Sequence, residues 1–310
     1  MTPKSNFPSL FKAIQTIWKR ERSITEVIIH ISNALALMIV GHLLFTYLTA
    51  EKVIAVFNTV DSSILYYVLG GFIAQMIDGA LGMAYGVTAT TFLLSVGITP
   101  AAASASVHAS EVFTSGVSGY MHLKFGNVNS KLFKTLVIPG VIGAILGAYV
   151  LSSLEEYAGY IKPIVSIYTL FLGAIIIRKA LIKRQEKRQL KKVGWLALFG
   201  GYLDSIGGGG WGPIVSSTLI ASGRHPKYTI GSVNLTEFFV SLASSITFFT
   251  VIGLGYWDVI IGLILGGVIA APIAARLANK LPVKSMMILV GIVIIIVSLR
   301  QIILGVPKFL

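Results

Sequence analysis

Apolar runs dominate this chain, and polar residues interrupt them in a pattern that occurs twice. The runs fall at about 27–48, 64–78, 81–97, 100–123, 131–152 and 157–177, then at 194–207, 211–222, 226–252, 257–275 and 283–304. Runs this long with so few charges predict membrane helices, since about 20 apolar residues cross a hydrocarbon core of about 30 Å. Gly70-Gly71-Phe72-Ile73 returns as Gly200-Gly201-Tyr202-Leu203. Each copy then meets a glycine-rich break, at Asp78-Gly79-Ala80-Leu81-Gly82 and at Gly208-Gly209-Gly210-Trp211-Gly212. A short apolar helix follows, then a Gly-x-x-Pro turn (Gly97 to Pro100, Gly223 to Pro226), then a long helix speckled with polar residues. Duplicated segments with interrupted helices point to a secondary transporter whose site lies where the breaks meet.

Composition agrees. The chain is 55% hydrophobic and 12% charged, against about 25% charged in a soluble domain. It therefore reads as an all-α integral membrane protein. Cysteine is absent, which excludes disulfides, cysteine-ligated metals and thiolate chemistry. The net charge of +13 sits in loops and at the amino terminus, so it marks membrane orientation and not nucleic acid.

The basic residues order the topology. Arg178, Lys179, Lys183, Arg184, Lys187, Arg188, Lys191 and Lys192 face a single acid, Glu186, in the segment 178–192, which reads as a cytoplasmic linker. Lys124 and Lys131, Arg224 and Lys227, and Lys280 and Lys284 mark further inside loops, whereas Glu155-Glu156 and Asp258 lie outside. Residues 1–26 place Lys4, Lys12, Lys19, Arg20 and Arg22 beside Leu10, Ile14, Ile17 and Trp18, a basic amphipathic helix on the cytoplasmic surface. Residues 27–62 hold one extra transmembrane helix and a loop; its apolar run is too long for the core of a signal peptide. The first repeat, 63–177, then begins outside and the second, 193–310, begins inside. An odd number of segments per copy makes this an inverted repeat of five segments each. The amino terminus is expected in the cytoplasm and the carboxyl terminus outside it. Segments 64–78 and 211–222 would reach only roughly 18–22 Å as helices. They fit re-entrant hairpins with glycine-rich tips, and two tilted full spans are the alternative.

Candidate chemistry sits at the tips and along the polar helices. Gly79 and Gly82 in the first break, and Gly207, Gly208, Gly209, Gly210, Trp211 and Gly212 in the second, leave free N–H groups at the start of a half-helix. With the positive end of a helix dipole behind them, such groups bind anions without a cationic side chain. Tight helix packing is the competing use of these glycines. Ser104, His108, Glu111, Ser115 and Ser118 form one helical stripe, answered by Asn234, Glu237, Ser241 and Ser244. Glu111 and Glu237 each lie eleven residues after a proline, near the midplane, where an ionisable group is a functional candidate. Both are coupling candidates. His108 and Asn234, with Ser110 and Thr236 immediately before the two glutamates, are binding candidates. Asp78 stands at the first tip with Gly208 at the equivalent place, and Asp204 lies about one turn earlier in its copy. Gln75, Asp78, Tyr85 and Asp204 are expected in the cavity wall, and capping is the other duty of such aspartates. His-x-x-Glu at 108–111 could ligate a metal, but Asn234 on the other side is a poor ligand, so no metal site is expected. No H-E-x-x-H, G-x-S-x-G or P-loop occurs, so an enzyme is not expected.

The pattern resembles the TauE/SafE family of sulfite and organosulfonate exporters over about 64–304. The resemblance rests on Gly70-Gly71-Phe72 through Gly82, on Ala103-Ser104-Ala105-Ser106-Val107, on Gly200 through Gly212, and on Gly231-Ser232-Val233-Asn234. The first copy departs from it, with Asp78-Gly79-Ala80 where a glycine run belongs. Membership implies movement of a small sulfur oxyanion or sulfonate across the cytoplasmic membrane, outward, with no cofactor. The partners it implies are that anion and the bilayer; the paired glutamates, not the resemblance, suggest protons as a coupling ion, with the membrane potential as the other drive. A divalent-cation carrier using His108, Glu111, Asn234 and Glu237 is the alternative.

Overall fold

Proline and short polar side chains set the helix starts. Pro100 opens one long helix behind Thr99, whose side chain accepts from the Ala102 amide at 3.4 Å. Pro226 opens its counterpart. Proline lacks the N–H that a first turn leaves unpaired in any case. Asn129 caps the helix that follows by accepting from the Leu132 amide at 2.9 Å.

The computed structural model describes residues 63–81, 83–181, 190, 192–253, 255–277 and 282–308. The expected basic amphipathic segment, the extra amino-terminal helix, Gly82 and most of the 178–192 linker lie outside the described residues. The described residues belong to one unit, Val60–Leu310. They are helical throughout, without a strand among them. The helices are α1 (Ile64–Leu81), α2 (Tyr85–Ser95), α3 (Pro100–Lys124), α4 (Ser130–Ser153) and α5 (Ala158–Leu181), then α6 (Val193–Gly207), α7 (Gly212–Ala221), α8 (Pro226–Ile252), α9 (Trp257–Leu277) and α10 (Val283–Gly305). α7 opens with a π-helical turn, Gly212–Ser216.

Among the described residues, four helices are long and apolar enough to cross a membrane: Ser130–Ser153, Glu155–Leu181, Pro226–Ile252 and Lys284–Gly305. α2 has 11 residues and would reach about 16 Å, half a hydrocarbon core. The first break differs from the expected one. α1 runs on through Gly79, Ala80 and Leu81, so the described interruption falls at Met83 and Ala84, after the expected break had begun at Asp78. A lone glycine costs a helix only about 1 kcal/mol, which neighbouring turns tolerate. Four in a row at Gly207–Gly210 do end α6.

Small residues let the helices close on one another. α1 lies along α9, and α4 along α6. A methyl at Gly71 would meet the Leu263 backbone, and one at Gly266 the Val68 and Phe72 backbone. In the other pair, Gly143 and Gly147 press on the backbone of Leu198 and Tyr202, and Gly201 on that of Gly140. Such backbone-to-backbone approach is how helices gain contact where no hydrophobic drive separates helix from lipid. The Gly70-Gly71 and Gly200-Gly201 pairs thus serve packing. α3 pairs with α8, and α5 with α10.

α3 is buried continuously from Pro100 to Glu111 although it carries serines. Several of its hydroxyls, and several of those of α8, donate back to their own helix. Ser110 donates to the Val107 carbonyl at 2.7 Å, Thr236 to Ser232 at 2.7 Å and Ser245 to Ser241 at 2.7 Å. This satisfies groups that would otherwise cost free energy in a dry interior. Large apolar side chains such as Ile138, Phe171, Val268 and Ile303 point outward.

Candidate functional site

Both broken helices are closed by the same device. In the second copy, Gly208 takes a left-handed conformation (φ 63°) and Gly209 a φ of 146°. The Asp204 carbonyl accepts from the amides of both. The Asp204 side chain then crosses the break, its Oδ1 accepting from the Trp211 amide at 2.8 Å. In the first copy, Asp78 Oδ1 accepts from the Tyr85 amide at 3.3 Å. Each bond spans seven residues. The structural counterpart of Asp78 is therefore Asp204 and not Gly208. The same interval relates Pro100 to Pro226 and Glu111 to Glu237. Matching the two Gly-Gly pairs by eye sets the tips about one helical turn out of register. The sequence signal that finds the true register is an aspartate seven residues before an aromatic-glycine pair, Tyr85-Gly86 and Trp211-Gly212.

The tips touch. The Thr90 hydroxyl donates to the Gly208 carbonyl. A Cβ at Gly209 would overlap the backbone of Gly86 and Val87, so only glycine permits this approach. The Tyr168 hydroxyl donates to the Gly209 carbonyl at 3.4 Å. From behind, the Lys179 ammonium donates to the Pro213 carbonyl at 2.7 Å and to the Ser217 hydroxyl, tying α5 to the first turns of α7.

A cavity of about 320 Å³ opens beside this contact. Of the expected residues, Gln75, Asp78, Tyr85, Glu111, Asp204, Gly210, Gly212, Asn234 and Glu237 line it, with Ser115 and Ser118 of the polar stripe. The rest lie elsewhere. His108, Ser110 and Thr236 are fully buried and off the cavity wall. Gly208 and Gly209 are consumed by the contact between tips, and a Cβ at Gly207 would strike the Tyr168 ring. Trp211 is fully buried in the α4–α8 core, its indole N–H donating to the Val233 carbonyl at 3.2 Å. Gly79 falls inside α1, and Gly82 is outside the described residues. Met83, Ala84, Gly86, Val87, Thr114, His122, Pro213 and Ile230 also line the cavity and escaped sequence reasoning. Ala84 holds a positive φ of 89°, a conformation that costs an alanine about 1–2 kcal/mol.

The wall is acidic. Asp78, Glu111, Asp204 and Glu237 face it, and among the described residues neither lysine nor arginine lines it. The Ser241 hydroxyl donates to Glu111 Oε2 at 3.3 Å. Gly86 and Val87 in the first turn of α2, and Gly212 in that of α7, line the cavity. Those positions have no intrahelical acceptor. Among the described residues, no three His, Asp or Glu side chains come together closely enough to hold a metal ion.

The family model described as sulfite exporter TauE/SafE matches residues 67–301. The chain belongs to this family. Among curated proteins, this TauE/SafE chain is 43% identical over 245 residues to "Probable membrane transporter protein YtnM" of Bacillus subtilis (strain 168), covering 75% of the chain and 80% of the relative. No solved structure matches it. Family, relative and apolar helices together make this TauE/SafE protein a multi-pass membrane transporter.

Proposed function

We propose that the chain is a secondary carrier of a small sulfur oxyanion, sulfite or an organosulfonate, moved outward across the cytoplasmic membrane by alternating access. The observation that carries this reading is the meeting of two half-helix starts at one polar cavity. Their unpaired amides and dipoles offer positive potential to an anion. The volume of about 320 Å³ lies at the lower end of small-ligand sites, about 300–1,000 Å³. The sulfur cargo and the outward direction come from the family's name.

Helix pairing supports an inverted repeat. α1 on α9 corresponds to α4 on α6, while α3 pairs with its own counterpart α8 and α5 with α10. That is the pattern of a two-fold axis between the copies. The charge asymmetry of the loops supports a cytoplasmic amino terminus and an extracytoplasmic carboxyl terminus.

Charge balance adds protons to the account. An anion entering a cavity whose described lining has four carboxyl groups and no lysine or arginine is held only if protons accompany it. Glu111 and Glu237, which face the cavity from α3 and α8, are the proposed coupling groups. The potential favours export by about 2.3 kcal/mol per 100 mV for each net negative charge that the accompanying protons leave uncompensated.

The acidic wall also favours a second reading, a divalent-cation carrier. The absence of three converging ligands among the described residues weighs against it. Flux of radiolabelled sulfite into proteoliposomes, competed with sulfate, sulfoacetate or a divalent cation, separates the two. Saturable sulfite flux indifferent to chelator supports the anion carrier. Cation flux abolished by chelator, with no sulfite flux, replaces it.

A further inference from the structure

One side-chain pair at the cavity is unmatched in the other copy. His108 on α3 is fully buried, and its Nε2 lies 3.2 Å from Asp204 Oδ2 on α6. The equivalent of Asp204 is Asp78, but the equivalent of His108 is Asn234, whose amide donates to Ser118 at 3.0 Å. Asp204 lines the cavity and His108 stands behind it. The Phe248 ring lies beside the imidazole, tilted, with ring centroids 6.2 Å apart.

The surrounding hydrogen bonds count the protons. His108 Nδ1 is 2.8 Å from the Ser104 carbonyl, which can only accept, so Nδ1 carries a hydrogen. Ser104 Oγ, 3.2 Å from Nδ1, spends its own hydrogen on the Ser205 carbonyl at 2.5 Å. With Nδ1 protonated, a neutral imidazole presents a lone pair at Nε2. Facing a carboxylate lone pair, that contact is repulsive. It becomes a hydrogen bond only if one more proton lies between Nε2 and Oδ2, whether the pair is written imidazolium–carboxylate or imidazole–carboxylic acid. The tautomer follows from the acceptor at Nδ1.

We infer that His108 and Asp204 together form a proton-binding site, loaded with one proton in this conformation and open to the cavity through the Asp204 carboxyl. The inference rests on the transport reading and adds a proton carrier to it. The proton leaves by way of Oδ2 to cavity water, and the pair passes from neutral to one negative charge. Loss of the proton turns a hydrogen bond into a repulsion on the residue whose other oxygen holds the Trp211 amide. Unloading therefore loosens the tip between α6 and α7, which links protonation to the shape of the anion site. Other titratable groups facing the pair are Glu111 on α3, Glu237 on α8 and Tyr168 on α5, with Asp78 and Tyr85 across the cavity. The two glutamates are the coupling groups proposed above, so the pair accounts for one proton and not for all pH dependence.

The test compares wild type with H108Q and D204N. Each amide replaces one titrating group of the pair and keeps a hydrogen bond across it, and D204N keeps an oxygen for the Trp211 amide. Infrared difference spectra between acid and alkaline pH, taken on protein in lipid, read the proton without any substrate. Wild type is expected to show imidazole and carboxyl bands changing together; H108Q lacks the imidazole band of the pair and D204N its carboxyl band. In proteoliposomes, a one-unit pH gradient accumulates a substrate about tenfold for each coupled proton. The fold-stimulation of radiolabelled sulfite accumulation is expected to fall by that factor of about ten in H108Q and in D204N, whatever the residual rate. Bands and stimulation unchanged in both variants would overturn the proposal. If wild type moves no sulfite, the transport reading fails, and the infrared bands alone decide for or against the proton pair.

Discussion

The two broken helices share a frame and differ in chemistry. Each has an aspartate that reaches seven residues ahead to cap the half-helix. In the first, the capped residue is Tyr85, which faces the cavity and meets Ser110 through its hydroxyl at 3.1 Å. In the second it is Trp211, which turns into the core. The first tip passes through Ala84 in a strained left-handed conformation, whereas glycine relieves the second. Asp78 lacks a histidine partner and Asp204 has His108. The difference teaches that the symmetric framework supplies a cavity and capped half-helices, while the asymmetric residues decide what each half does there. The second tip is built for close packing and proton binding, the first for contact with whatever occupies the cavity.

The largest effect is expected where the tips touch. Gly209→Val places a branched side chain on the Gly86 and Val87 backbone. Strain and overpacking together should cost roughly 3 kcal/mol or more. Thermal unfolding in detergent should show the loss, and an unchanged melting temperature would mean that the tips are not in contact. Next come the two caps. Asp204→Ala removes a cap and leaves His108 buried without its partner, at about 3–5 kcal/mol. Asp78→Ala removes a cap, at about 1 kcal/mol. Equal losses in the same melts would erase the asymmetry. Trp211→Phe gives up the indole bond to Val233 for about 1 kcal/mol, whereas Tyr85→Phe should change transport affinity more than stability. The reverse result would exchange the roles assigned to the two aromatics. The smallest effect on stability is expected at Gly212, where an added methyl finds Met83 at 3.3 Å. Gly212→Ala should hold stability within about 0.5 kcal/mol and weaken sulfite uptake severalfold by covering an amide. Undiminished uptake would remove that amide from the site.

Much of the helix layout was legible because its signals are local. Pro100 and Pro226 open helices by removing a donor that needs no partner, and long apolar runs have no other stable use. The tip register was hidden because Gly70-Gly71 and Gly200-Gly201 look alike yet serve helix packing, about a turn out of step with the caps. Trp211 beside four glycines reads as a cavity wall, and no local signal tells that its ring turns toward Val233. The His108–Asp204 contact joins residues 96 apart on helices of different copies, so spacing along one helix face cannot reveal it. Residues such as Thr114 and His122 extend the Glu111 face of α3 toward its end. A longer reading of that stripe would have included them.

The central claim is that the cavity between the tips carries an anion together with protons. Radiolabelled sulfite accumulation in proteoliposomes, with and without an imposed pH gradient, tests it most directly. The account predicts saturable flux that the gradient stimulates in wild type and that Gly212→Ala weakens. Sulfite flux indifferent to the gradient, or flux of a divalent cation alone that chelator abolishes, would contradict it.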